Sequence, residues 1–460
     1  MDVIEVNSRE PNKAVFQLYS LLFLAIILFA FSSLSYLAIL GVLFSLYILN
    51  ELIYGFGKGF PVNLVISFLA CLQWIIGPVL SYYTGINHPF YGMQVPEDYY
   101  FSFIIPGVIL YHFGLSLPVL GVKQIPKLVI ESMREDALAK VKGAYYLIGL
   151  GFVAGFAAAF SPPSLIFFLY LLSQVKFIGC FYLYVSNSAS NKVLYLVFAT
   201  LVLNALASAM FHDLLLWSLF FLFVFSIKHH ISLKTKFLGL FAGLFLLLLL
   251  QSVKYQYRNI AWSNASLGTF AQSEVFFGMV FNKLMSPNEL FDAKANETSI
   301  TRLNQGWIIS RVMNYIPYVE QFADGETVEG AFSAALLPRF LSENKAMAGG
   351  RAMMERFTGI ILQEGTSMNI SLIGEGYGNY GRDGGIIFMF LIGIVFSLIL
   401  RQLFIKSQEN PTILFWIPFL FLQVVKAETD LTTTLNYLVK ASIVMILVFY
   451  GFRKFLKIEL

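Results

Sequence analysis

Seven of the chain's 11 arginines fall between residues 254 and 384: Arg258, Arg302, Arg311, Arg339, Arg351, Arg356 and Arg382. Only four of its 20 lysines do, namely Lys254, Lys283, Lys294 and Lys345. Arginine presents a planar fork that matches the paired oxygens of phosphate or carboxylate, and it stays charged when partly buried. The same interval holds 13 acids, from Glu274 to Asp383. Two readings are therefore open: the arginines pair with these acids, or at least two of them face a phosphorylated ligand. The five histidines, His88, His112, His212, His229 and His230, all lie outside the interval, and so do both cysteines. A Ser–His or Cys–His nucleophile within it is excluded, and a zinc site of the usual ligand types is not expected. Chemistry there must use Arg, Lys, Glu, Asp and Tyr.

Two further patterns lie in the same stretch. Residues 374–381, Gly-Glu-Gly-Tyr-Gly-Asn-Tyr-Gly, lead toward an apolar segment at 385. They contain G-x-G-x-x-G, but without a βαβ unit this is no nucleotide site. The glycines would let a ligand approach the backbone closely at a helix N-terminus, where the dipole favours anions. Glu375 is then a candidate general base, or else a helix-end anchor. Upstream, Thr298 or Ser299 can cap a helix whose apolar face is Ile300, Leu303, Trp307, Ile308 and Val312, ending near Ile316 before Pro317. Arg302 and Arg311 fall on opposite sides of such a helix and cannot share one site unless it breaks, whereas Asn304 and Arg311 can share a face. An amphipathic stretch, Glu274 to Met285, is suited either to the membrane surface or to ordinary packing.

The elements that position these residues are read from the whole chain. Of 460 residues 58% are hydrophobic and 13% charged, far from the roughly 25% charge of soluble domains. The net charge of +4 gives no reason to expect nucleic acid. Cys71 and Cys180 sit in apolar segments and read as small core residues. No cleavable signal peptide is expected, because the apolar stretch after Lys13 is too long. A membrane span needs roughly 20 apolar residues. The run from Ala14 to Ile53, broken at Ser32-Ser33-Leu34-Ser35, divides into two helices. Further spans fall at about 62–84, 99–120, 143–160, 164–185, 193–211, 213–227, 237–253, 385–404, 412–425 and 435–452, about twelve in all. With the N-terminus inside, the inner segments hold 17 Lys/Arg and the short outer loops one, Lys426. The positive-inside rule then puts both termini in the cytoplasm and residues 254–384 outside. The expected fold is an all-α polytopic membrane protein: a bundle of about nine helices over 1–253, a large periplasmic loop over 254–384 with amphipathic helices, and C-terminal helices over 385–460. The charged stretch Lys123 to Lys142 suits a short interfacial helix.

Charges inside spans are costly and call for partners. Lys176 needs one most, with Asp213 available. Lys440 can pair with Glu428 or Asp430, or snorkel.

An ordered series of short motifs points further: Arg302-Leu303-Asn304-Gln305-Gly306-Trp307, Gly325-Glu326-Thr327, Leu337-Pro338-Arg339-Phe340-Leu341, Lys345, Arg356-Phe357-Thr358-Gly359, Thr366-Ser367-Met368, and residues 374–381. The series resembles that of oligosaccharide repeat-unit polymerases of O-antigen and exopolysaccharide pathways, which are related to O-antigen ligases. The resemblance implies a GT-C-type membrane fold in the bacterial inner membrane. It implies transfer of a growing glycan from undecaprenyl diphosphate onto a lipid-linked repeat unit, at the periplasmic face. It implies no nucleotide sugar, cofactor or metal. The partners are the undecaprenyl-diphosphate-linked oligosaccharide, the bilayer and a chain-length regulator protein. Arg302 and Arg339, with Glu375 as base, are the expected catalytic residues; Arg258, Lys345, Arg356, Tyr377 and Asn379 are expected to bind the diphosphate or glycan. The related ligases place a histidine in this region, and this interval has none.

Three rival readings follow from the same residues. A ligase joining finished glycan to another acceptor displaces the same carrier. A lipid-linked oligosaccharide flippase or transporter would use Lys176, Asp213 and Lys440 as its path, leaving the arginines idle. An assembly partner would use the loop only for docking.

Overall fold

The computed structural model describes residues 13–85, 88, 90–122, 127–188, 191–229, 231–263, 268–286, 297, 300–337, 350–363 and 366–460. Among these every regular element is helical. Eight helices are long and apolar enough to cross a membrane, so the chain is a multi-pass membrane protein in type.

The first half is a run of apolar helices: α1 (Lys13–Phe31), α2 (Tyr36–Gly55), α3 (Val62–Thr84), α4 (Glu97–Ser116), the charged α5 (Lys127–Ala139), α6 (Val141–Ala158), α7 (Pro163–Val185), α8 (Asn191–Ser208), α9 (His212–Lys228) and α10 (Leu233–Ser263). Each expected span before residue 254 is matched by a helix. The serine-rich break separates α1 from α2 because the Ser35 hydroxyl accepts from Ala38 N and caps the second helix. Then come α11 (Thr269–Met285), α12 (Gly306–Tyr315), α13 (Glu326–Leu336) and α14 (Arg351–Thr358), followed by α15 (Ser371–Lys406), α16 (Pro411–Phe421) and α17 (Leu431–Gly451).

Two boundaries differ from the sequence reading. α10 continues to Ser263, so Lys254 and Arg258 ride on a helix rather than opening a loop. α15 begins at Ser371, so residues 374–380 are helical instead of leading into a helix at 385. Glycine ordinarily disfavours helix interiors; here its lack of a side chain is used for packing. A Cβ on Gly376 would lie 2.7 Å from Phe388, and one on Gly378 would lie 3.1 Å from Phe357. Gly381, with φ 68° and ψ −162°, kinks the helix in a conformation that glycine alone adopts cheaply.

Small residues also set how helices cross. Gly114 of α4 faces Phe390 O, and Gly393 of α15 faces Tyr111 O, each too close for a Cβ. Such contacts are the usual basis of helix association in lipid, where no hydrophobic force draws helices together. Exposed Phe23, Phe31, Phe156, Phe160 and Phe241 cover the outside of the bundle, as lipid contact requires.

The two ends of the bundle follow from antiparallel packing. Lys236, at the start of α10, donates to Ile53 O and Phe56 O at the end of α2. Arg258 lies 22 residues further along α10, about 33 Å at 1.5 Å per residue, which matches the hydrocarbon thickness. The Arg258 end and the Lys236 end therefore lie on opposite sides of the bundle.

Candidate functional site

Those of the expected site residues that the structure describes gather at the Arg258 end, in two groups.

The first group is cationic. Lys254 and Arg258 stand four residues apart on α10 and share a face. Arg258 Nε donates to Ala209 O (3.0 Å), and its guanidinium lies 5.0 Å from the Trp262 ring centre. Arg302 is exposed and within electrostatic reach of both. It gets there because the expected helix breaks: residues 300–303 are helical, Asn304 and Gln305 are not, and α12 starts at Gly306. The proposed caps Thr298 and Ser299 lie outside the described residues. The break is held from α3. A π turn at Cys71–Ile76 leaves Gln73 O to accept from Gln305 N (3.2 Å). Gly77 and Gly306 give the close approach: a Cβ on Gly77 would lie 2.7 Å from Asn304 Cα, and one on Gly306 2.3 Å from Pro78. Asn304 is buried against Met93 and Arg311 donates to Thr358 O, so these two do not share a face. The helix does end at Tyr315, before Pro317.

Side chains from outside the long interval complete this group. Glu428 is within electrostatic reach of Lys254 and Arg258, and its Oε1 lies 3.2 Å from His212 Nδ1. Lys426 pairs with Asp213 at 2.9 Å, and the Tyr170 hydroxyl donates to the same carboxylate at 2.7 Å. Burial works against charge on Glu428, yet the His212 hydrogen bond and the charges of Lys426 and Lys254 hold its carboxyl below the usual range. Four cations, Lys254, Arg258, Arg302 and Lys426, stand at this end with two carboxylates, Asp213 and Glu428, of which Asp213 is paired with Lys426. The excess positive charge suits an anion carrying two or more negative charges. His212 is 37% exposed and Glu428 40%, so the pair is open to a ligand.

The second group is sealed. Glu375 is fully buried; one oxygen accepts from Thr327 Oγ1 (2.9 Å) and the other from Leu431 N (2.8 Å). Asn379, also fully buried, donates to Thr327 Oγ1 and to Glu375 O, and accepts from Gly325 N. Together they clamp the Gly325–Thr327 turn and the start of α17 onto the first turns of α15. Asp430 caps α17 by accepting from Thr433 N (2.7 Å); burial pushes its carboxyl up, against the lowering effect of Thr433. Tyr377 is buried, with its hydroxyl 2.7 Å from that of Tyr99.

The remaining arginines divide. Arg356 bonds Glu326 (2.9 Å) and lies 3.4 Å from Glu320; its guanidinium holds the Glu326 carboxyl below the usual range. Arg382 pairs with its neighbour Asp383. These two follow the self-pairing reading, whereas Arg258 and Arg302 make no ion pair at salt-bridge distance to a described residue. Arg339 and Lys345 lie outside the described residues. α11, over the expected amphipathic stretch, packs Phe276 against Phe211 and Tyr257 and leaves Phe277 and Phe281 exposed.

Sequence reasoning missed His212, Glu428 and Lys426 as one group with the arginines. One signal was present: Lys426 breaks the charge rule of the short outer loops. Lys176 does not meet Asp213, which Lys426 has taken; its ammonium lies 5.4 Å from the Phe152 ring and 5.3 Å from the Phe177 ring. For Lys440, for which the sequence left Glu428, Asp430 or snorkelling open, the ammonium lies 5.1 Å from the Phe167 ring centre, while Asp430 caps its own helix and Glu428 lies beside His212.

No family model matches the chain, and no curated protein and no solved structure matches it either.

Proposed function

We propose that this protein is a bacterial oligosaccharide repeat-unit polymerase of about twelve spans with a GT-C-type fold. In this reading it extends a glycan on undecaprenyl diphosphate at the periplasmic face of the inner membrane. The observation that carries the reading is the convergence of Lys254, Arg258 and Arg302 at one end of the bundle, with cationic excess and an open histidine beside them. Glycan transfer from a diphosphate carrier needs two things. Negative charge growing on the leaving diphosphate must be stabilised, and the acceptor hydroxyl must lose its proton.

Preorganised cations serve the first need, and arginine forks match the phosphate oxygens. For the second, the tautomer of His212 that donates from Nδ1 to Glu428 leaves Nε2 as an acceptor. The acceptor hydroxyl gives its proton to Nε2 while its oxygen bonds to the anomeric carbon of the donor glycan. The bond from that carbon to the diphosphate oxygen breaks, and the electron pair leaves on undecaprenyl diphosphate. Glu375, named as base from sequence, has both oxygens engaged and no exposure; in this reading it fastens the site.

The test is the glycan profile of cells lacking the protein, complemented with wild type or with Arg302→Ala. The reading expects single repeat units, and no long chains, to reach the outer side in both the null and the mutant. Intermediates trapped on the cytoplasmic face would make the protein a flippase. Long carrier-linked polymer accumulating outside would make it a ligase.

A further inference from the structure

α11 lies apart from the main core of the bundle. It shares a small core with the neighbouring ends of α8, α9 and α10, in which Phe276 is buried against Phe211 and Tyr257. That contact fixes its height. Tyr257 lies 21 residues further along α10 than Lys236, about 32 Å at 1.5 Å per residue, which matches the hydrocarbon thickness. The middle of α11 is therefore level with the lipid headgroups at the Arg258 end. At this level α10 also exposes Tyr255 and Trp262, residue types that gather where hydrocarbon meets water.

The circumference of α11 divides into three sectors. At 3.6 residues per turn, Phe276 and Val280 point toward the small core. Phe270, Phe277, Phe281 and Leu284 fall beside them in one strip about 60° wide, and they are 87%, 55%, 57% and 44% exposed. Past that strip Glu274, Gly278 and Asn282 are exposed as well. A second apolar face, turned away from the core and carrying three phenylalanines, marks an interaction surface. Its occupant has to be apolar along the strip, with water one step further round the helix. The boundary of a lipid leaflet has that profile, and it lies at this height. The aromatic exposure of α10 at the same level carries the lipid-facing surface of the bundle up to the strip.

We propose that the strip formed by Phe270, Phe277, Phe281 and Leu284 inserts into the lipid leaflet at the Arg258 end, while the sector holding Asn282 stays in water. α11 is then a float. Its inner face grips Tyr257, which stands between Lys254 and Arg258 on α10, so insertion holds those two cations at the level of lipid phosphates. This surface is independent of the reaction carried out beside it.

The test uses the full-length protein in phospholipid nanodiscs, with one nitroxide spin label attached at a time to Phe277→Cys, Phe281→Cys or Asn282→Cys. Cys71 and Cys180 are buried, so labelling is confined to the introduced thiol. Power saturation compares access by oxygen, which concentrates in lipid, with access by a water-soluble nickel chelate. The ratio should favour oxygen at 277 and 281 and reverse in favour of nickel at 282. Phe277→Trp keeps an apolar ring at the same place and gives a second readout that needs no label. Its added fluorescence should be quenched when the nanodisc lipids carry bromine near the headgroup. Nickel access at 277 and 281 equal to that at 282 would overturn the proposal by placing the strip in water. Exclusion of both reagents there, with no quenching of Phe277→Trp, would overturn it in favour of a protein partner or a second copy of the chain.

Discussion

Two carboxylates at the same end of this bundle stand in opposite circumstances. Glu375 is enclosed, each oxygen accepts from a neutral donor, and the bonds join three segments of the chain. Glu428 is partly exposed, its bonded partner is a histidine, and its neighbours carry excess positive charge. A buried polar group with every bond satisfied specifies structure, whereas a charged, accessible one is available for chemistry. From sequence the two looked reversed: Glu375 sat among suggestive glycines, and Glu428 lay in a short loop without a motif.

The comparison breaks most sharply on the histidine. His212→Ala should lower polymer formation by about 10² to 10⁴-fold, the usual worth of a general base, while the purified protein keeps its thermal transition. Unchanged chain synthesis by His212→Ala in a cell-free transfer assay would remove Glu428 and His212 from the chemistry. Next comes Arg302→Ala, with an expected loss of about 10² to 10³-fold. Arg302→Lys should recover only part of this in the same assay, because lysine cannot present a fork.

Glu375→Ala is expected to act through stability. It orphans Leu431 N and Thr327 Oγ1 in a closed interior, at a cost of about 2–4 kcal/mol, read as a lower midpoint of thermal unfolding in detergent. A Glu375→Ala protein with the wild-type midpoint and no activity would restore Glu375 as a reacting group. The smallest effect belongs to Glu326→Gln. Its ion pair with Arg356 is exposed, so the loss should stay below about 1 kcal/mol and shrink in salt. Because Arg356 depresses the Glu326 carboxyl, the pair's contribution is present above the ordinary carboxylate range and fades as pH falls through the lowered value. A pH series of wild type and Glu326→Gln midpoints that converge in acid checks the sign.

Much of the fold was legible because lipid imposes simple rules on sequence. The positions of the apolar segments, the Ser32–Ser35 break and the stop before Pro317 all follow from length, capping and backbone geometry. The extension of α15 back to Ser371 was not legible. Glycine reads locally as a breaker, and only Phe357, Phe388 and the Gly381 kink explain why a glycine-rich stretch is helical here. The site was half legible. Arginine counts drew attention to Arg258 and Arg302, but the histidine absent from their interval arrives from the start of α9, and Glu428 from the loop before α17. Such long-range meetings leave no periodicity to read. Local reasoning also mistook the partners of Lys176 and Asp213, since which helices are neighbours is a property of packing.

The π turn in α3 carries a last consequence. It stores one residue more than an α-helix would use over the same rise, and the carbonyl thereby left over holds Gln305, three positions from Arg302. The position of the Arg302 cation is thus indexed to the residue count of a helix packed within the bundle. Deleting one residue between Leu72 and Ile75 would leave the span's apolarity and reach nearly unchanged, yet the spare carbonyl would vanish. The latch on residues 303–305 would open, and Arg302 would lose its address while every atom of its own side chain stayed the same.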